Sequence, residues 1–287
     1  MPRLAYVNGR YIPHTEARVH VEDRGYQFAD GVYEVMAILE GRLVDLDGHM
    51  ARLGRSLAEL RIEWPMTRAV LLLVMRELIS KNAVVTGLIY IQITRGVAPR
   101  DFKFPGPKVR PSLVMTTRKV VRFATLDQIA DGVAVITIPD IRWLRRDIKS
   151  VSLLPQVMGK QQAYEAGAFE AWMVDGDGMI TEGCASNAWI VNAAGVLVTR
   201  HPDNLILNGI TRQSLLGLAT AAGLTAEIRP FSVAEAYAAT EAFISSATTF
   251  ALPVTRIDGR PVGCGKPGPL TRLLRASYLE CVGRVRP

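Results

Sequence analysis

The chain is poor in lysine, with seven residues against 27 arginines in a length of 287. Its three cysteines, Cys184, Cys264 and Cys281, are odd in number and far apart. That excludes a disulfide framework or a zinc-binding pattern and fits a reducing cytoplasm. The four histidines, His14, His20, His49 and His201, are equally scattered and form no H-E-x-x-H, so no catalytic metal is expected. A phosphate loop of the Walker type, a G-x-G-x-x-G after a strand and a G-x-S-x-G are all missing. Their absence removes the usual nucleotide, dinucleotide and serine-hydrolase signatures. No apolar run approaches the ~20 residues that cross a bilayer, and the N-terminus lacks the apolar core of a signal peptide. A membrane is therefore not an expected partner. The net charge of +7 is spread along the chain without a basic run or an interleaved aromatic stack, so nucleic acid is not expected either. The arginines read as solvated surface, or as groups gathered around an anionic ligand.

What is present reads as a globular protein, 49% hydrophobic and 21% charged. Asn8-Gly9 between short apolar runs predicts a hairpin. A strand at 32–39, a turn at Glu40-Gly41 and a second strand at 43–46 repeat the form. Met50, Leu53, Leu57 and Leu60 make a helical stripe, a second helix is expected at 67–82, and "GLIYIQITRG" reads as a buried strand. The Pro- and Gly-rich stretch 100–112 reads as a loop, followed by a strand in "SLVMTTR". The character changes near 119–123. Beyond it, strands are expected at 133–138, 168–174, 188–191 and 241–246, with helices at 153–166, 211–222 and from about 270. The mixture predicts an α+β protein of two domains, 1–119 and 120–287, with a site between them.

Lys149, in "DIRWLRRDIKSVSLLPQ", differs from the other lysines, which have surface settings in polar helix ends, loops or a linker. A guanidinium stays protonated, whereas a partly buried amine can lose its proton and attack a carbonyl. Arg145 and Arg146 would lower its pKa if they approached it. On this footing alone Lys149 is either such a nucleophile or a solvated ion-pair partner. Arg52 likewise is a polar position on an amphipathic helix or an anion ligand, Glu182 a turn residue beside Gly183 or a functional carboxylate, and Arg100 a loop arginine or an acid-binding fork.

Three further stretches accompany the lysine segment in order: "VEDRGYQFADGVYEV", "TEGCASNAW" and "ILNGITR". Together, from about Tyr6 to the C-terminal helix, they resemble the fold-type IV pyridoxal-phosphate enzymes, and most closely the D-amino acid aminotransferases. The resemblance implies a smaller N-terminal α/β domain and a larger C-terminal mixed domain carrying Lys149 as the Schiff-base lysine and proton shuttle. Glu182 matches the carboxylate that pairs with the pyridine nitrogen of pyridoxal 5'-phosphate. Arg52, Gly209, Ile210, Thr211, Ser246, Ala247 and Thr248 match the phosphate ligands, Ala247 through its backbone N–H only; Ser186 and Leu207 match positions beside the ring.

Tyr33 and Arg100 match the residues that hold the substrate α-carboxylate, and Tyr90 a pocket tyrosine. Phe102 stands where the pattern has a histidine, which removes a donor and favours a changed or more apolar pocket. The implied reaction is ping-pong transamination through pyridoxamine phosphate, from a D-amino acid such as D-alanine to a 2-oxo acid such as 2-oxoglutarate, by a cytoplasmic homodimer. A branched-chain L-amino acid aminotransferase, an (R)-amine transaminase and an aminodeoxychorismate lyase are the alternatives on the same scaffold.

Overall fold

In the computed structural model, which describes residues 3–121, 123–124 and 126–284, Asn8 and Gly9 adopt φ of 46° and 94°. These are the left-handed values a tight hairpin needs, and they join β1 (Leu4–Val7) to β2 (Arg10–Pro13). By its internal contacts the chain forms two units, Met1–Arg122 with Ile148–Ser152, and Phe123–Asp147 with Leu153–Pro287. Of the 119–123 stretch where the sequence changes character, Arg122 lies outside the described residues. Lys149 falls in the first unit, whereas the sequence reading assigned it to the C-terminal domain.

The first unit holds β3 (Gly31–Leu39), β4 (Arg42–Leu43), β5 (Gly87–Thr94) and β6 (Ser112–Lys119) beside the hairpin. They form an antiparallel sheet in the order β2-β1-β6-β5-β3-β4. The short α1 (Arg24–Phe28) precedes β3, and α2 (Leu46–Glu59) and α3 (Arg68–Lys81) follow β4. Thr67 caps α3 through its hydroxyl. The expected strand at 43–46 is cut short, because Asp45 turns left-handed at φ 51° and α2 begins at Leu46.

Strand β5 alternates rather than being buried throughout. Ile89, Ile91 and Ile93 join Val32, Met36, Leu53, Leu57, Leu71 and Met75 in the core. Burying one such side chain stabilises by about 1.5–3 kcal/mol. The period of two puts Tyr33, Tyr90 and Gln92 on the opposite face, with Tyr33 paired to Gln92. Residues 149–151 run along the start of β3: Tyr33 N–H donates to Lys149 O at 3.0 Å and Val151 N–H to Gly31 O at 3.0 Å.

The second unit is built on β7 (Val133–Pro139), β8 (Glu170–Val174), β9 (Met179–Gly183), β10 (Asn187–Val191), β11 (Leu197–Thr199), β12 (Ala226–Ile228), β13 (Phe231–Ser232), β14 (Glu241–Ser246), β15 (Phe250–Ile257) and β16 (Arg260–Pro261). The sheet order is β12-β11-β10-β14-β15-β7-β8-β9-β13, with β16 on β15. The pairs β11/β12, β15/β7 and β7/β8 are parallel. Its helices are α4 (Leu126–Ala130), α5 (Leu154–Glu165), α6 (Ile210–Ala221), α7 (Val233–Tyr237) and α8 (Pro269–Arg284). Helix α6 packs on β14 and α8. The Glu241 carboxylate caps the start of α8 by accepting from Leu270 N, Thr271 N and Thr271 Oγ1 at 2.8–3.0 Å. Among the described residues no helix is long and apolar enough to cross a membrane.

Candidate active site

In the first unit, three backbone bonds fix Lys149. Its carbonyl accepts from Tyr33, its N–H donates to Ser56 Oγ on α2 at 3.2 Å, and Val151 beyond it is tied to Gly31. The half-buried side chain reaches the polar face of the sheet, where Nζ lies 3.3 Å from Tyr33 Oη and 4.3 Å from the ring centre. Tyr33 and Tyr90 stack at 5.7 Å. Burial, with Tyr33 beside it, pushes the Tyr90 phenol up to about 12, so it stays protonated and donates to Gln92 Oε1 at 2.7 Å. An amine held against the Tyr33 hydroxyl is placed to take and return a proton.

On the other side of β3, Glu34 is fully buried and accepts from Arg52 Nε and Nη2, both at 2.8 Å, and contacts His49 Nδ1 at 2.7 Å. Burial works to raise this carboxyl, but the Arg52 charge and the hydrogen bonds of Arg52 and His49 prevail and hold it at about 2. Arg52 is thereby fixed on α2 by a residue adjacent to Tyr33 in the chain.

Arg100 and Phe102 lie on an exposed loop. Arg24 holds that loop by donating from Nη1 to Asp101 O at 2.6 Å, while Arg24 and Arg95 share the Asp30 carboxylate. The Arg100 guanidinium sits 4.6 Å from the Phe28 ring centre and 6.0 Å from that of Phe102. Aromatic faces of this kind hold a guanidinium while its N–H edge remains available.

In the second unit, Glu182 on β9 is buried among three donors. Arg142 Nη1 donates at 2.5 Å, Asn187 Nδ2 at 2.9 Å, and the Leu207 N–H is shared between both carboxylate oxygens at 3.1 and 3.2 Å. A carboxylate offers about four acceptor positions; Arg142 and Asn187 each take one oxygen, and the Leu207 N–H bridges the two through its longer contacts. Burial pushes the Glu182 carboxyl up against the pull of Arg142. Asp140 anchors Arg142 from the other side, at 3.0 Å to Nε and 2.7 Å to Nη2, and accepts from Thr181 Oγ1 at 2.7 Å. The two arginines considered as neighbours of Lys149 are engaged by carboxylates within this unit, Arg145 by Asp147 at 3.0 Å and Arg146 by Asp140 at 3.2 Å.

Helix α6 starts after Gly209 with no side-chain cap, leaving the first N–H groups, including those of Ile210 and Thr211, available to an anion. Thr211 Oγ1 is buried and has no partner among the described residues. Ser246, Ala247 and Thr248 form the turn from β14 to β15, where Ser246 Oγ contacts the hydroxyls of Thr248 and Thr249 at 3.1 and 2.9 Å. An uncapped helix start, an orphan hydroxyl and a hydroxyl-lined turn make a donor set that fits a phosphate dianion. With the buried carboxylate of Glu182, an acceptor suited to a protonated ring nitrogen, the second unit fits pyridoxal phosphate. Ser186 Oγ donates to Glu170 Oε2 at 3.1 Å.

Comparison with known proteins decides the family. The model for amino-transferase class IV matches residues 31–257. The chain belongs to the class IV aminotransferases. Over 275 residues it is 44% identical to the D-alanine aminotransferase of Bacillus licheniformis, covering 96% of this chain and 95% of that one. It is 38% identical over 273 residues to the D-alanine aminotransferase of Staphylococcus haemolyticus, covering 95% of each. Among solved structures it resembles the branched-chain aminotransferase of the thermophilic archaeon Thermoproteus uzoniensis with norvaline, at a TM-score of 0.86 and 25% identity over 99% of this chain and 96% of that one.

In this class IV aminotransferase the residues expected at the site from sequence fall in two groups. Tyr33 contacts both Lys149 and Tyr90; Glu182 and Leu207 are bonded directly, and Asn187 links both to Gly209. Sequence reading passed over Glu34, Ser56, Asp140, Arg142 and Asn187, which orient these groups. All but Ser56 lie within the segments that carry the resemblance, but nothing in the string says which arginine meets which carboxylate.

Proposed function

We propose that this aminotransferase moves the amino group of a D-amino acid, such as D-alanine, to a 2-oxo acid such as 2-oxoglutarate, with pyridoxal 5'-phosphate as cofactor. The observation that carries the reading is the 44% identity to a D-alanine aminotransferase along nearly the whole chain. The contact of Lys149 with Tyr33 supports it. When bound, the cofactor supplies a carbonyl carbon that takes the amine and a ring that absorbs the electron pair left on Cα. Lys149 would hold the cofactor at that carbon, and its Nζ, 3.3 Å from Tyr33 Oη, would be the group that takes the proton from the substrate Cα and returns it. Overall the amino group of the donor and the oxo oxygen of the acceptor change places, with no net consumption of water.

Glu182 keeps the ring nitrogen protonated. Arg52, Gly209, Ile210, Thr211, Ser246, Ala247 and Thr248 hold the phosphate, and Leu207 and Ser186 flank the ring. Tyr33 and Arg100 bind the substrate carboxylate beside Tyr90, with Phe102 stiffening the Arg100 loop where a second donor would otherwise stand. A cytoplasmic homodimer belongs to the same reading. Leu154, Val157 and Met158, exposed on one face of α5, support burial against a second copy.

The absorption spectrum of the purified protein tests the reading. A visible band that D-alanine removes, and that L-leucine or an (R)-amine leaves in place, is the expected result. Bleaching by L-leucine or the amine alone would overturn the D-amino acid assignment. No band after adding pyridoxal phosphate would remove the cofactor from the argument.

A further inference from the structure

Arg212 belongs to the "ILNGITR" segment, yet none of the roles above uses it. It sits in the first turn of α6, 2% exposed. Its Nη2 donates to Arg200 O at 2.7 Å and its Nη1 to Asn208 Oδ1 at 3.3 Å, while Nε has no partner among the described residues. Trp189 lies beneath it, 5.9 Å from ring centre to Cζ. Both acceptors are neutral oxygens. Glu182 is the acidic group whose field reaches it, without touching it.

Two physical costs meet here. A buried cation without a contacting carboxylate is poorly compensated. A cation in the first turn also faces the positive end of the helix dipole, where anions are favoured. Burial pulls its pKa down to about 10. Among the described residues no carboxylate contacts the guanidinium, and the field of Glu182 offsets the cost only in part. An anion at the uncapped start of α6, beside the orphan hydroxyl of Thr211, would relieve both costs at once.

We propose that Arg212 is a buried fixed charge that holds the cofactor phosphate through its field, a positioning residue added to the direct donors of the α6 start. This rests on the pyridoxal-phosphate reading above. The competing role is a clamp, in which Arg212 ties the 200–208 loop to α6 through two neutral oxygens and its charge is incidental.

The two roles separate when the phosphate is removed from the ligand instead of from the protein. The dissociation constants of the cofactor-free full chain for pyridoxal 5'-phosphate and for pyridoxal are measured by fluorescence titration, in wild type, Arg212→Met and Arg212→Gln. The expected result is that both variants lose about tenfold in affinity for pyridoxal phosphate, the size of a charge pair several ångströms apart in a partly screened interior, and bind pyridoxal as wild type does. Equal weakening toward both compounds, or toward neither, overturns the proposal. If the neutral variants do not fold, Arg212→Lys decides. Inorganic phosphate should raise the melting temperature of cofactor-free Arg212→Lys as much as that of wild type, and a smaller rise overturns the proposal. A wild-type protein that binds neither compound overturns the aminotransferase reading, and this inference with it.

Discussion

Replacing Glu34 with glutamine should unfold the first unit more easily by an amount its surroundings set. The residue has no exposure and is the shared acceptor of Arg52 and His49. Its carboxyl is held at about 2 against an ordinary 4.5. That difference corresponds to about 3 kcal/mol favouring the charged form in the folded state. Glu34→Gln keeps the shape and removes the charge that Arg52 and His49 face, and breaking a buried pair from one side costs about 3–5 kcal/mol. For a chain of this size the melting temperature should fall by about 5–10 °C.

The pH dependence gives the sign. A carboxyl whose folded pKa is depressed contributes its stability fully above the unfolded value and loses it as pH falls toward the folded one. The gap between wild type and Glu34→Gln should therefore be full at neutral pH and narrow as pH drops from about 4.5 toward about 2. Urea unfolding of the cofactor-free proteins across that range reads it directly. A gap below about 1 kcal/mol at neutral pH, the size of an exposed ion pair, or one that stays constant into acid, would refute the account of Glu34.

Lys149→Arg should keep the fold and charge but lose transamination, since a guanidinium does not give up its proton at working pH; near-normal turnover of D-alanine would dismiss Lys149 as the catalytic amine. Gly209→Ala would place a Cβ 2.0 Å from Asn187 Oδ1, and Asn187 cannot yield without loosening Glu182 and Leu207 O. A loss of about 1–3 kcal/mol in thermal unfolding, together with weaker cofactor retention on gel filtration, is the expected outcome. Phe102→His should lower KM for D-alanine with little change in kcat, by restoring a donor beside Arg100; steady-state kinetics showing a raised KM would detach that loop from the substrate.

Local pattern carried much of the fold. The Asn8-Gly9 turn, the α2 stripe and the span of α3 are legible because each depends on a few adjacent residues. Strand β15 was not legible, since Pro253 reads as an interruption. In the structure it sits opposite Phe243 in mid-sheet. Strand β9 was hidden because Thr181-Glu182-Gly183 has the composition of a turn, and only the donors from β10, the 207 loop and Arg142 make that glutamate a buried acceptor. Glu34 follows the alternation of β3 onto the apolar face, where a sequence reader expects an aliphatic residue. Its partners His49 and Arg52 lie 15 and 18 positions away on a helix.

The first unit is not a continuous stretch of chain: five residues, Ile148–Ser152, return to it after a detour through the second. They supply partners for the backbone of Gly31 and Tyr33 at one end of β3. During synthesis, then, the amino-terminal portion cannot finish its own hydrogen bonding until residue 152 has left the ribosome, some thirty residues after its main body has emerged. The last piece to arrive carries Lys149, so the first unit gains that amine only on completing its fold.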